Sequence, residues 1–159
     1  MQICSLEFLC DNGAMSDFYA RASHWIDAPP DALFDIVADP TNHPVIDGSA
    51  TVAHVMPGAP KRLFLGAEFA MVMHNKFTYR MRNRVTEFVP GRIIAWKPLS
   101  GHTWRYTFTP HDGGTLVTEE WDARGVWNRW AMKAIRAGQR NRVAMEQSLQ
   151  RLQRLVATP

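Results

Sequence analysis

A chain of 159 residues with 46% hydrophobic and 21% charged residues has room for one hydrophobic core and not for two. Its formal charge of +3 is too small to point to nucleic acid, and its two cysteines, Cys4 and Cys10, exclude a disulfide framework or a four-cysteine zinc cluster. Eight Met and six Trp are many for this length, and such large side chains need somewhere to pack.

Met1–Cys10 is apolar in flavour but has no basic start and contains Glu7. Neither a secretory signal nor a membrane span is expected, and the reducing cytoplasm is the simplest compartment. Residues 1–14 precede the patterned sequence and are expected as a poorly ordered N-terminal extension, with Met15 an alternative start and a single domain over 15–159. Asp17–Asp27 sets Tyr19, Arg21, Ser23 and Trp25 against Phe18, Ala20, Ala22 and Ile26, a period-2 strand closed by Ala28-Pro29-Pro30. From Pro30-Asp31, the apolar stripe Leu33, Phe34, Ile36 and Val37 predicts a short helix, stopped by Asp39-Pro40. Thr41–Gly48 is turn-rich with room for one helical turn.

Six further strands are predicted over Ala50–Met56, Glu68–Asn75, Phe77–Val89, Arg92–Lys97, His102–Thr109 and Thr115–Ala123, the last two joined by a hairpin through Pro110-His111-Asp112-Gly113-Gly114. Short connections make the sheet antiparallel. The chain closes with one predicted helix from Trp127 to Val156, on which Trp127, Trp130, Ala131, Ala134, Gly138, Asn141, Met145, Leu149, Leu152 and Val156 fall within about 60° of one line. Charge is uneven: Val126 onward carries seven basic residues and one acid, Glu146.

A sheet of about seven strands curved around a long C-terminal helix, with one or two short helices after strand one, is an α+β helix-grip fold. The residues Ile26-Asp27-Ala28-Pro29-Pro30-Asp31-Ala32-Leu33-Phe34-Asp35, Asp39 through Gly48, Gly66 with Phe69, and Val85 through Pro90-Gly91 to Trp96 resemble the START-related SRPBCC superfamily in its polyketide cyclase/dehydrase-like branch. The resemblance implies a cavity between sheet and helix. Its members bind lipids, sterols, plant hormones or polyketides, and only some catalyse a reaction, so fold alone does not settle function.

Alternation selects the cavity wall independently of any family. On Phe77–Val85 the arginines 80, 82 and 84 occupy one face, which must be outside because charges are not buried unpaired. Phe77, Tyr79, Met81 and Asn83 then point inward, and the same logic turns Trp104 and Tyr106 inward, with Phe69, Met71, Met73 and Trp96 completing an aromatic and Met-rich wall. Opposite them the helix offers only Ala131, Ala134 and Gly138. The expected cavity therefore lies beside those three, with Trp127 and Trp130 at its mouth, and Gly138→Leu is expected to fill it.

Each polar candidate has two readings. His43 suits acid–base chemistry beside Asp47, or both simply bond backbone in a turn. Asn83 and Asn141 orient a ligand or satisfy neighbouring backbone. Glu119 is the member of the Glu119-Glu120 pair expected to face inward, either as an acid–base group or paired with Arg142. His54, His74 and His102 share no ligand spacing, so no metal is expected; nor is a cofactor, since there is no phosphate loop, nor nucleic acid. The favoured function is binding of a small hydrophobic molecule by a monomer or homodimer. The alternatives are an aromatic polyketide cyclase or dehydratase using His43 and Glu119, and a protein- or membrane-interaction module using the basic helix.

Overall fold

The computed structural model describes residues 16–157, so the expected extension over 1–14, with both cysteines, lies outside the described residues. Strand β1 (Tyr19–Ile26) buries Ala20, Ala22 and Ile26 on one face. Helix α1 (Pro30–Ala38) starts where Pro at the first helical position costs no hydrogen bond, and it buries Leu33, Phe34, Val37 and Ala38. Asp39 stops it in extended backbone and turns its carboxylate to the next segment, accepting from Thr41 N (2.9 Å) and Thr41 Oγ1 (2.6 Å). A 3₁₀ turn (Pro40–Asn42) and one helical turn, α2 (His43–Ile46), follow.

The remaining strands are β2 (Val52–Val55), β3 (Glu68–His74), β4 (Thr78–Val89), β5 (Ile93–Pro98), β6 (Thr103–His111) and β7 (Gly114–Asp122). They form one antiparallel sheet in the order β1-β7-β6-β5-β4-β3-β2, so β2 to β7 meander and β1 returns to pair with β7. The β6–β7 hairpin closes through two residues, Asp112 (φ 47°) and Gly113 (φ 79°), both left-handed as a type I′ turn requires. A bulge between Val85 and Glu87 shifts the β4–β5 register, which bends the sheet and turns Phe88 to the inner face. There Phe34 of α1 meets Phe88 and Phe108 edge-on at 5.2 and 5.7 Å. The result is the expected α+β helix-grip architecture, a curled half-barrel closed on its concave side by helices.

The single predicted C-terminal helix is instead two. α3 (Arg129–Ala134) ends at Ile135, Arg136 sits at φ 49°, and α4 (Ala137–Ala157) begins in a new direction and packs on β1 and β7. A left-handed arginine is strained. The apolar stripe runs unbroken across this point, so periodicity gave no sign of the break. The role expected for Gly138 also changes. A Cβ there would stand 2.1 Å from the Ser16 carbonyl oxygen, so the glycine admits the chain entering β1, not a ligand. Phe77, expected inward, precedes β4 and is 80% exposed.

Candidate functional site

A cavity of about 740 Å³ lies between the concave sheet and the α3–α4 pair, within the roughly 300–1,000 Å³ typical of small-molecule sites. Strand alternation supplies its wall. Phe69, Met71 and Met73 from β3, Tyr79, Met81 and Asn83 from β4, Trp96 from β5, and Trp104 and Tyr106 from β6 all line it. The aromatics form a continuous set: Trp96 stacks on Tyr106 at 5.8 Å and meets Phe69 edge-on at 6.0 Å, and Tyr106 stacks on Phe108 at 6.3 Å.

His43 is placed by the turn of α2 and buried. Its ring stacks on Trp96 at 5.0 Å, and its Nε2–H donates to the Val37 carbonyl at 2.8 Å. A carbonyl only accepts, so Nδ1 carries the lone pair of the neutral ring. Burial pulls the His43 pKa below its usual value, against the Val37 carbonyl and the charges of Asp39 and Asp47, which pull upward. The imidazole is therefore neutral and its free nitrogen is an acceptor. Asp47 itself is occupied: Oδ2 accepts from Thr51 N (2.7 Å) and Val52 N (2.8 Å), and Oδ1 from Ser49 N (3.0 Å). Both His43 and Asp47 thus bond backbone groups.

Glu119 faces the cavity from β7 directly opposite Tyr106 on β6 and is 3% exposed. Its Oε2 has no hydrogen-bond partner among the described residues. Burial pushes its pKa up to about 8; the Tyr106 hydroxyl pulls it down and Asp47 adds a further upward push. The Tyr106 phenol is raised well above its normal value by burial and by Glu119. At neutral pH the floor of the cavity thus carries an uncharged carboxylic acid beside an uncharged phenol. The cation expected to pair with Glu119 is elsewhere: Arg142 Nε bonds Glu146 Oε1 at 3.1 Å, one turn along α4. Glu120, on the outer face, pairs ionically with Arg105 (3.4 Å) and accepts a hydrogen bond from the Tyr19 hydroxyl (2.6 Å).

Asn83 is buried, and its amide donates weakly to the Met81 carbonyl at 3.3 Å. Asn141 lines the opposite side from α4. The helix residues expected to border the cavity do not: Ala131, Ala134 and Gly138 are absent from the wall, and Trp127 and Trp130 are 89% and 74% exposed. The break at Arg136 rotates their stripe away and brings Met132, Ile135, Val143, Ala144 and Ser148 inward instead. Reasoning from sequence also missed His102 as a pocket group. It shares the parity of Trp104 and Tyr106, which was the available signal. Its ring lies 5.9 Å from Trp121, and burial lowers its pKa to about 4. Among the described residues no group of three or more His, Cys, Asp or Glu is arranged to hold a metal.

Residues 19–157 match the family described as polyketide cyclase/dehydrase and lipid transport. The chain belongs to that family. Its relatives include the Uncharacterized protein Rv0088 of Mycobacterium tuberculosis, 38% identical over 97 residues, which are 60% of this chain and 43% of that protein. The match thus spans less than half the length of that relative. Two solved structures share the fold of this polyketide cyclase/dehydrase family member. Protein CV1439 from Chromobacterium violaceum superposes with a TM-score of 0.70 at 16% identity, covering 91% of this chain and 100% of that one. The di-domain ARO/CYC StfQ from the steffimycin biosynthetic pathway superposes with a TM-score of 0.65 at 17% identity, covering 86% of this chain and 50% of that one. No helix among the described residues is long and apolar enough to cross a membrane.

Proposed function

We propose that this protein binds a small, mostly apolar molecule carrying at least one polar group, which is held at the Glu119 end of the cavity. The observation that carries the reading is the Glu119 carboxyl, 97% removed from solvent with one oxygen unpartnered, in a wall otherwise built of aromatic and Met side chains. An unsatisfied buried polar atom costs about 1–3 kcal/mol, which a ligand hydroxyl or carbonyl offsets. A neutral acid both donates and accepts, so it serves either group. His43 Nδ1 and the Asn83 amide offer further polar contacts, and Met71, Met73, Met81, Trp96 and Trp104 take the apolar body. A cytoplasmic location and a monomer or homodimer are part of this reading.

Native mass spectrometry of protein purified from its own host tests it. A co-purifying small molecule is expected. Protein that is empty and gains no thermal stability from any lipid, sterol or polyketide contradicts it.

A second reading, a polyketide cyclase or dehydratase, is favoured by one specific feature. A carboxyl with a pKa near 8 beside a buried phenol is matched to proton transfer near neutral pH. The likeness to the ARO/CYC protein of steffimycin biosynthesis agrees with it at the level of fold. Turnover assays of the unsubstituted protein and of single Glu119 and His43 variants separate the two readings: turnover lost in a variant that still binds supports the enzyme, whereas binding without any turnover by the unsubstituted protein removes it.

A further inference from the structure

The exposed members of the cavity wall mark where it opens. Asn75 and Tyr79 lie on the β3–β4 side, Ser49 on the α2–β2 loop beside them, and Ile135, Gln139, Arg140, Val143 and Gln147 on the α3–α4 side. Antiparallel topology puts the β3–β4 turn, the β5–β6 turn and the exit of β7 at this same end of the sheet. Each of those connections bears a large apolar side chain in solvent. Phe77 is 80% exposed, Leu99 86%, Trp127 89% and Trp130 74%, with Ile135 at 53%. Scattered apolar residues need no explanation, but here they are gathered around one opening.

Charge is gathered there too. Residues 74–84, 97–105 and 123–145 contain Lys76, Lys97, Lys133, Arg136 and Arg140 among other bases, and no Asp or Glu. The nearest carboxylates are each engaged locally: Asp122 by Arg124 at 2.7 Å, Glu146 by Arg142 at 3.1 Å, and Asp47, which lines the cavity, by the backbone N–H groups of Ser49, Thr51 and Val52, while Asp17 lines a small recess with Arg136. Apolar tips set among cations are what an anionic lipid surface selects, because bases meet headgroups while Trp, Phe and Leu enter the acyl boundary. A second copy of the chain fits less well, since a two-fold interface would set these bases against themselves.

We propose that this end of the domain docks on an anionic lipid bilayer, so that the cavity exchanges its ligand with the membrane without passing it through water. This rests on the reading that the cavity takes an apolar molecule. The test is flotation of the intact protein with phosphatidylcholine vesicles, with and without phosphatidylglycerol, at low and high salt. Binding is expected only with phosphatidylglycerol, weakening as salt rises, with a blue shift of Trp emission. Replacing Trp127 and Trp130 together with Ser, or Phe77 and Leu99 together with Ser, is expected to weaken it by about tenfold or more. These side chains are exposed, so the fold should survive. Binding of a fluorescent fatty acid, measured in parallel without vesicles, is expected to be unchanged in both variants. Absence of vesicle binding in protein that still takes the fatty acid overturns the docking proposal alone; failure to take it counts against the cavity reading. Sedimentation showing a dimer abolished by the Trp substitutions would also overturn the proposal.

Discussion

Glu119→Gln isolates the energetic consequence of the buried acid. The carboxyl titrates at about 8 in the folded protein against 4.5 for an unburied group. Its folded pKa is raised, so the folded state holds a proton that the unfolded state releases. Stability is therefore unaffected below about pH 4.5, falls as pH rises through the window to about 8, and is flat above it. One pKa unit is about 1.4 kcal/mol, so the loss reaches about 3 kcal/mol at pH 7 and at most about 5 kcal/mol above pH 8. Gln keeps the shape and the hydrogen-bonding capacity but does not ionise. Urea unfolding of both proteins at intervals from pH 4.5 to 9 is the assay. The variant's advantage is expected to grow by about 1.4 kcal/mol per pH unit and then level off near pH 8. Parallel stability profiles would refute the neutral-acid assignment, because they would mean that Glu119 ionises equally well folded and unfolded.

His102 has the opposite sign: its pKa is lowered to about 4, so stability is lost as pH falls from 6.5 towards 4, and its ring resonances in an NMR titration should move with a midpoint near 4 and not near 6.5. Gly48→Ala is expected to cost about 1–3 kcal/mol in urea unfolding, because its new methyl would lie 2.0 Å from the Ala144 carbonyl oxygen of α4; an unchanged midpoint would contradict that approach. Gly138→Ala should destabilise through contact with the Ser16 carbonyl while leaving uptake of a fluorescent fatty acid unaltered, whereas blocked uptake would restore the glycine to the cavity wall. Trp96→Ala should lower stability by about 3 kcal/mol or more and release the stacked His43 ring, which one-dimensional NMR of the imidazole protons would register.

The strands were legible because each carries a period-2 pattern bounded by turn residues. Arg80, Arg82 and Arg84 alternating with Met81, Asn83 and Val85 fixed the inner face of β4 without any tertiary information. The pattern held only as far as the bulge after Val85, beyond which Phe88 faces inward. A bulge adds one residue and leaves no compositional trace when that residue is an ordinary Thr86. The helix break was hidden for a similar reason. Helices that end in a left-handed residue usually announce it with Gly or Asn, and here the residue is Arg136. Nothing local prefers that conformation, so it is imposed by packing.

The cavity wall and its buried acid were therefore readable, while the side that closes the cavity was not, and the distinction is physical. A wall residue is positioned by its own strand. The lid depends on where two distant segments meet: α4 is brought against the α2–β2 loop, where Gly48 N donates to Ser148 Oγ at 2.9 Å and Arg151 donates to the Asp47 carbonyl at 2.5 Å. Asp47-Gly48-Ser49 reads locally as a turn, and only the approach of Ala144 shows why its middle residue has no side chain. The same contact ties the α4 side of the cavity to the loop that carries His43.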